Sequence, residues 1–322
     1  MREFLTFLIQ LMCLCIRRNY EMEEKIGDKI KTVRKLYGIS QEALAKNICS
    51  QSEVSRIESN THLPSYYVLL RLSNRLGVDI NYFLENEEES QRNDYLLEVK
   101  SQLAEARRQR DYSLLKNIVE FEIKNPLFKK GPIRSYLLWH KGIYQYHLDK
   151  EFEKSIKTLL SCLSHQNKSL LFTELDINLL NSIGIIYRNE SLLEKALEHL
   201  GSAYQMVGRV PSIRDRRLFS KVSYNLSKVY TDLERYVDSL KVCEKGIIEC
   251  KKNEDMFLFA EFHYQIGRNY FFQLSIEDGL SYLEKAKTIY SLQSKEHLKS
   301  IVNEEINYFK DNFPINKSLK QK

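Results

Sequence analysis

Glycine and proline are scarce in these 322 residues, 11 and 5 against 20 Tyr and 15 Phe. So few chain breakers exclude a turn-rich β-architecture and favour long helices packed side by side. No Cys-x-x-Cys occurs among Cys13, Cys15, Cys49, Cys162, Cys243 and Cys250, and none stands with histidine at zinc-ligand spacing. The thiols are therefore read as reduced, buried groups of a cytoplasmic protein, and no metal is expected. The seven histidines are scattered, with no His-Glu-x-x-His pair and no glycine loop to cradle phosphate. No catalytic set and no cofactor are expected, so the chain does not read as an enzyme. His263, Trp139 and the tyrosines read as packing residues. The net charge of +6 permits nucleic-acid binding without arguing for it.

No apolar run reaches the ~20 residues that cross a bilayer. Phe4 to Ile16 comes nearest, flanked by Arg2 and by Arg17 and Arg18. It is similar to a signal-peptide core, but no small-x-small cleavage site follows. The amphipathic pattern begins just after Met22, so residues 1–21 are read as an apolar extension ahead of the true start. A membrane tether and an extra packed helix are the alternatives, and membrane contact is expected only if that segment is retained.

From Glu24 to Tyr37, Ile26, Ile30, Val33 and Leu36 recur on one helix face, and Gly38 stops it. Ser40 caps a second helix in which Leu44 and Ile48 face inward. A third begins near Gln51, with Val54 and Ile57 inward and Gln51, Ser52, Glu53, Ser55 and Arg56 outward. Gln and Arg can bond base edges in two-pronged fashion, and Gln41 is placed for a phosphate. Pattern alone leaves two readings of that face, a groove reader and a plain solvated surface. Ser40-Gln41, Leu44-Ala45, Ser50-Gln51-Ser52, Val54-Ser55-Arg56-Ile57-Glu58 and Pro64 resemble the Cro/C1-type helix-turn-helix family. That likeness implies a five-helix DNA-binding domain over 22–85. One departure stands out: the family's turn usually holds a glycine and one more residue, where this chain has Asn47-Ile48-Cys49.

Residues 86–94 are acidic and polar and read as a linker. Beyond them the sequence repeats. Gly184 has Leu180 and Ile183 before it and Tyr187, Ala196, Leu200 and Ala203 after it; the same offsets recur around Ser227 and Gly267, and more weakly around Ile143. These anchors lie 41, 43 and 40 residues apart. Small residues there let two helices cross closely, and the pattern resembles a tetratricopeptide repeat stretched beyond its usual length of about 34. About five helix pairs over 95–312 are expected to stack as an α-solenoid, closing at Lys295–Asn312 and followed by a polar tail, 313–322. The fold class is thus all-α. The first helix of each pair should line a concave surface, presenting Asn178 and Asn181, then Lys221, Asn225 and Lys228, then Gln265 and Arg268. A carboxamide, Asn181, Asn225 or Gln265, recurs just before the close-packing position. Each can donate to and accept from one peptide unit, so a ladder of them would hold a short extended peptide. Arg107, Arg108 and Arg110 suit a terminal carboxylate.

A helix-turn-helix followed by such repeats resembles the Rap–Npr–PlcR–PrgX group of peptide-sensing regulators. Glu24-Lys25-Ile26-Gly27, the turn Asn47-Ile48-Cys49, and Gln51 through Ser59 carry the likeness at the N terminus. In the array, Asn181, Tyr224-Asn225 and Tyr264-Gln265 resemble positions that touch the signalling peptide in that group, and Arg108 and Arg110 a basic pair. The resemblance implies a dimeric regulator, an activator, that reads a palindromic operator on double-stranded DNA under control of a short re-imported quorum-sensing peptide. A phage-type or mobile-element repressor whose array binds a partner protein is the alternative, and an enzyme-regulating scaffold ranks below both.

Overall fold

The computed structural model describes residues 25–84, 87–163, 172–210 and 213–313. The apolar extension 1–21 and nearly all of the polar tail lie outside them. The described residues form helices and no strand, and none of those helices is long and apolar enough to cross a membrane. The chain divides into two compact units, residues 1–104 and 105–322.

The first unit opens with α1 (Ile26–Leu36), α2 (Gln41–Ala45), α3 (Gln51–Glu58), α4 (Tyr66–Leu76) and α5 (Ile80–Leu84). Three serines start three of these helices. Ser40 Oγ accepts from Ala43 N at 3.0 Å, Ser50 Oγ from Glu53 N at 3.1 Å and Ser65 Oγ from Val68 N at 3.3 Å. Ile30, Leu44, Val54, Leu72 and Phe83 meet in one buried cluster. Leu36 departs from its expected inward face and stands exposed, because it lies in the last turn, beyond the cluster. Gly27 lets α1 touch the end of α3: a Cβ there would lie 1.9 Å from the Ile57 carbonyl oxygen.

The turn between α2 and α3 explains its missing glycine. Asn47 takes φ +61°, the left-handed region that asparagine tolerates better than other non-glycine residues. Arg75 from α4 reaches over and donates to the carbonyls of Lys46, Leu44 (3.1 Å) and Ala43 (3.3 Å), tying down the end of α2. Asn47→Ala is expected to destabilise this unit by about 1 kcal/mol. Asn47→Gly should leave it nearly unchanged, as thermal melts of the two variants would show.

The stretch 86–94, read as a linker, is helical from Glu87 on. α6 runs from Glu87 to Gln109, so this acidic stretch is a helix start; negative residues in a first turn favour the helix dipole. Then come α7 (Tyr112–Glu122), a 3-10 turn (Pro126–Phe128), α8 (Gly131–His147), α9 (Phe152–Leu160), α10 (Glu174–Asn189), α11 (Leu193–Val207), α12 (Leu218–Asp232), α13 (Tyr236–Lys252), α14 (Phe259–Phe272), α15 (Ile276–Leu292) and α16 (Glu296–Asn312). Successive antiparallel pairs α8–α9, α10–α11, α12–α13 and α14–α15 repeat the same crossing. A Cβ on Gly184 would lie 2.4 Å from Leu200 Cγ, and one on Gly267 2.8 Å from a Leu283 methyl. In the first of these pairs the close-packing residue is Gly142, against Leu159, and not Ile143. One extra residue between the two helices shifts the register there.

Candidate functional site

Two surfaces hold the residues expected to bind. On the first unit, Gln51, Ser52 and Arg56 of α3 are exposed, while Glu53 and Ser55 are half-buried. Behind them lies an ion pair. Arg34 Nε and Nη2 donate to the two Glu58 oxygens at 2.5 and 2.8 Å, and the Glu58 side chain is 2% exposed. Burial alone would raise the Glu58 carboxyl; hydrogen bonds from Arg34 and Gln41 and the Arg34 charge outweigh it and hold the group below its ordinary range. Gln41 Nε2 donates to Glu58 at 2.8 Å, and Gln51 Nε2 donates to Gln41 Oε1 at 2.8 Å. Gln41, expected to be placed for a phosphate, bonds Glu58 and Gln51 through its carboxamide. Gln51 is thereby tied through Gln41 to the buried pair.

On the second unit, the inner helices α8, α10, α12, α14 and α16 are laced at repeat spacing. Trp139 Nε1 donates to Ser182 Oγ at 2.8 Å, Asn225 Nδ2 to Asn181 Oδ1 at 3.0 Å, and Tyr264 Oη to Glu305 Oε1 at 2.9 Å. Arg188 pairs with Asp232 at 2.5 Å. A cleft of about 150 Å³ opens on this face, lined by Arg107, Tyr112, Ile143, His147, Asn181 and Ile185 among others. Arg107 lies 4.2 Å over the Trp139 ring, and His147 stacks on Tyr112 at 4.3 Å. Below, the fully buried His140 is pushed down to about 3 by burial and by Arg107, so it is neutral. Lys228 lies 4.7 Å over the Tyr224 ring. Burial pushes its ammonium down to about 8; Arg188 and Arg110 act the same way and Asp232 opposes them.

The expected ladder is only partly assembled. Asn181, which is buried, and Asn225 bond each other across the repeats. Gln265 is corrected: it is 2% exposed, and its Nε2 donates to Thr231 Oγ1 at 2.7 Å within a buried network with Ser239 and Asn269. Hydroxyls from the preceding pair draw it into the interior. Asn178 bonds its own helix at Glu174 O, 3.0 Å, and Lys221 pairs with Asp215 at 2.6 Å. Arg268 lies over Tyr264 and Phe272. Arg108 is exposed and paired with Glu105; Arg110 is exposed at φ +58°. Of the three basic residues, Arg107 is the one that lines the cleft, four positions after the buried Leu103, a spacing readable in the sequence. Tyr112 and His147, not singled out from the sequence, line the cleft with it, and Trp139 lies beneath its guanidinium.

A model described as the RNPP family C-terminal domain matches residues 100–310, and a helix-turn-helix model matches residues 30–83. Bacillus thuringiensis PlcR, solved in complex with the peptide PapR7 and DNA, is similar at 26% identity and a TM-score of 0.67, over 87% of this chain and 99% of that one. ComR from S. thermophilus, solved with DNA and its signalling peptide ComS, shares the fold at 16% identity and a TM-score of 0.62, over 88% and 99%. The Streptococcus dysgalactiae SHP pheromone receptor Rgg2 does so at 16% and 0.57, over 88% and 99%. No curated protein matches at a significant level.

Proposed function

Because the chain belongs to the RNPP family, a helix-turn-helix regulator and not an enzyme, we propose that it is a cytoplasmic transcription activator switched by a short re-imported peptide held on the inner face of its array. Residues 22–85 would read DNA and residues 95–312 would sense the peptide. Two copies, related by a two-fold axis, would meet a palindromic operator whose half-site spacing the dimer sets. The observation that carries this reading is the inner cleft. It is lined by Arg107 and by Asn181, whose carboxamide oxygen accepts from Asn225 on the next inner helix, and that helix also carries a half-buried Lys228 held against burial and two like charges. Backbone-pairing groups beside desolvated cations suit a peptide that carries a carboxylate.

Selection of bound sequences from randomised duplex DNA tests the output end. The wild type should enrich a palindrome. Gln51→Ala with Arg56→Ala should lower specific affinity by ~100-fold or more, since each base-edge contact is worth about 1–3 kcal/mol, and leave only salt-sensitive, sequence-blind binding. Full retention of specificity would overturn the assignment of α3. For the input end, a peptide encoded beside the gene should bind the wild type and lose affinity to Asn181→Ala and Asn225→Ala.

Lys228 separates binding from stability. Its folded value of about 8 lies below the usual 10.5, so its penalty is full below pH 8 and fades as pH rises from 8 to 10.5. Lys228→Met is expected to stabilise the array by about 1 kcal/mol at pH 7. The gain should vanish above pH 10.5, and affinity for an anionic peptide should fall. Denaturation at two pH values with a peptide titration checks all three.

A further inference from the structure

Charges of both signs stand along the array: Arg107, Lys228 and the Arg188–Asp232 pair toward α6–α12, and Arg268, Glu304, Glu305 and the Lys295–Glu261 pair toward α14–α16. Between α14 and α16 lies a groove of about 500 Å³, lined by Arg268, Phe272, Ile301, Glu304, Glu305 and Tyr308 among others. Phe271 stacked on Phe309, ring centroids 3.5 Å apart, braces it. Phe272 and Tyr308 leave 49% and 60% of their surface exposed. Glu305 accepts from Tyr264 through one oxygen, while the other is buried with no donor; Glu261 repeats this, with one oxygen on Lys295 at 3.0 Å and the other unpartnered. Of the two, Glu305 lines the groove, and a carboxylate short of a donor beside exposed aromatic surface is costly alone and complementary to a cation on an apolar stem.

We infer that this groove is a second subsite for the peptide, taking an ammonium or guanidinium group together with a large apolar side chain. The inference rests on the peptide-sensing reading above. The cation sits against Glu304 and Glu305, and the apolar side chain lies on Phe272, Ile301 and Tyr308. Arg268 lies over Tyr264 and Phe272 and Tyr264 reaches Glu305, so the groove borders the surface of α14 that carries Tyr264. The volume suits one or two side chains of a ligand. A second copy of the chain would need about 800 Å² on each partner.

Affinity-selection mass spectrometry of the full chain with a heptapeptide library, made with free and with acetylated N termini, tests this. The wild type should select Lys or Arg, or a free terminus, next to Phe, Tyr or Leu. Loss of selection on acetylation assigns the cation to the terminus; persistence assigns it to a side chain. Glu304→Gln with Glu305→Gln should cut the cationic preference tenfold or more, and Ile301→Ser with Tyr308→Ser the apolar one, with preferences at other positions intact. Unchanged preferences in both variants overturn the subsite. So does a serine variant that alters oligomeric state in light scattering while selecting the same peptides, which gives the groove to a second copy. Absence of any selected peptide in the wild type overturns the peptide-sensing reading itself.

Discussion

Arg34→Ala is expected to destabilise the first unit by about 3–5 kcal/mol, the range for breaking a buried ion pair by removing one partner. Glu58, whose side chain is 2% exposed with Arg34 in place, would keep Gln41 as its remaining side-chain donor. The effect should reach DNA, because Glu58 holds Gln41 and Gln41 holds Gln51. Operator affinity should therefore fall even at temperatures where the variant is still folded. Acid provides the sign check. The folded Glu58 value is depressed, so its stabilisation is present above the ordinary carboxylate value of 4.5 and is lost as pH falls through the lower folded value. Without Arg34, burial dominates and raises the group, so protonation relieves the variant early. The gap in melting temperature between wild type and Arg34→Ala should narrow below pH 4.5. Arg34→Met with Glu58→Met, which leaves no buried charge, should recover most of the stability but little of the DNA affinity, since Gln41 loses its anchor.

Much of this was legible in the sequence because it follows from local rules. A serine ahead of an apolar period marks a cap, and Ser40 and Ser50 do cap. A small residue at a fixed offset marks a close helix crossing, and Gly184 and Gly267 do sit under leucines. What escaped depended on partners distant in sequence. Gln41 sits where a phosphate ligand would, but only the fold shows Glu58 beneath it. Gln265 looks equivalent to Asn225, both two residues before a close-packing position. Their neighbours differ: Asn225 meets another carboxamide, whereas Gln265 meets Thr231, a bond available only inside. Arg107, Arg108 and Arg110 are one basic cluster as letters, and the turn of α6 is what leaves Arg107 over Trp139. The acidic run at residues 86–94 has a linker's composition and is equally a good helix start, so composition could not decide it.

Gly184→Val and Gly201→Ala should move stability in opposite directions, though both replace a helical glycine. At Gly201 a Cβ meets nothing within 4 Å, so alanine gains helix propensity, about 1 kcal/mol. At Gly184 it would lie 2.4 Å from Leu200 Cγ, and Leu200 is fully buried. That leucine has no space to retreat into, so valine must push α10 off α11 at an expected cost of about 3 kcal/mol. In a repeat array such damage stays near its source. Hydrogen exchange should rise in α10 and α11 and stay at wild-type levels in α15 and α16. Function should suffer beyond the loss of stability. Asn181 lies one turn before Gly184, so displacing α10 stretches its 3.0 Å bond to Asn225 and reshapes the cleft beside Arg107. Peptide affinity measured well below the melting temperature should then fall in Gly184→Val and hold in Gly201→Ala. Equal affinity in the two variants would show that the cleft does not depend on this crossing.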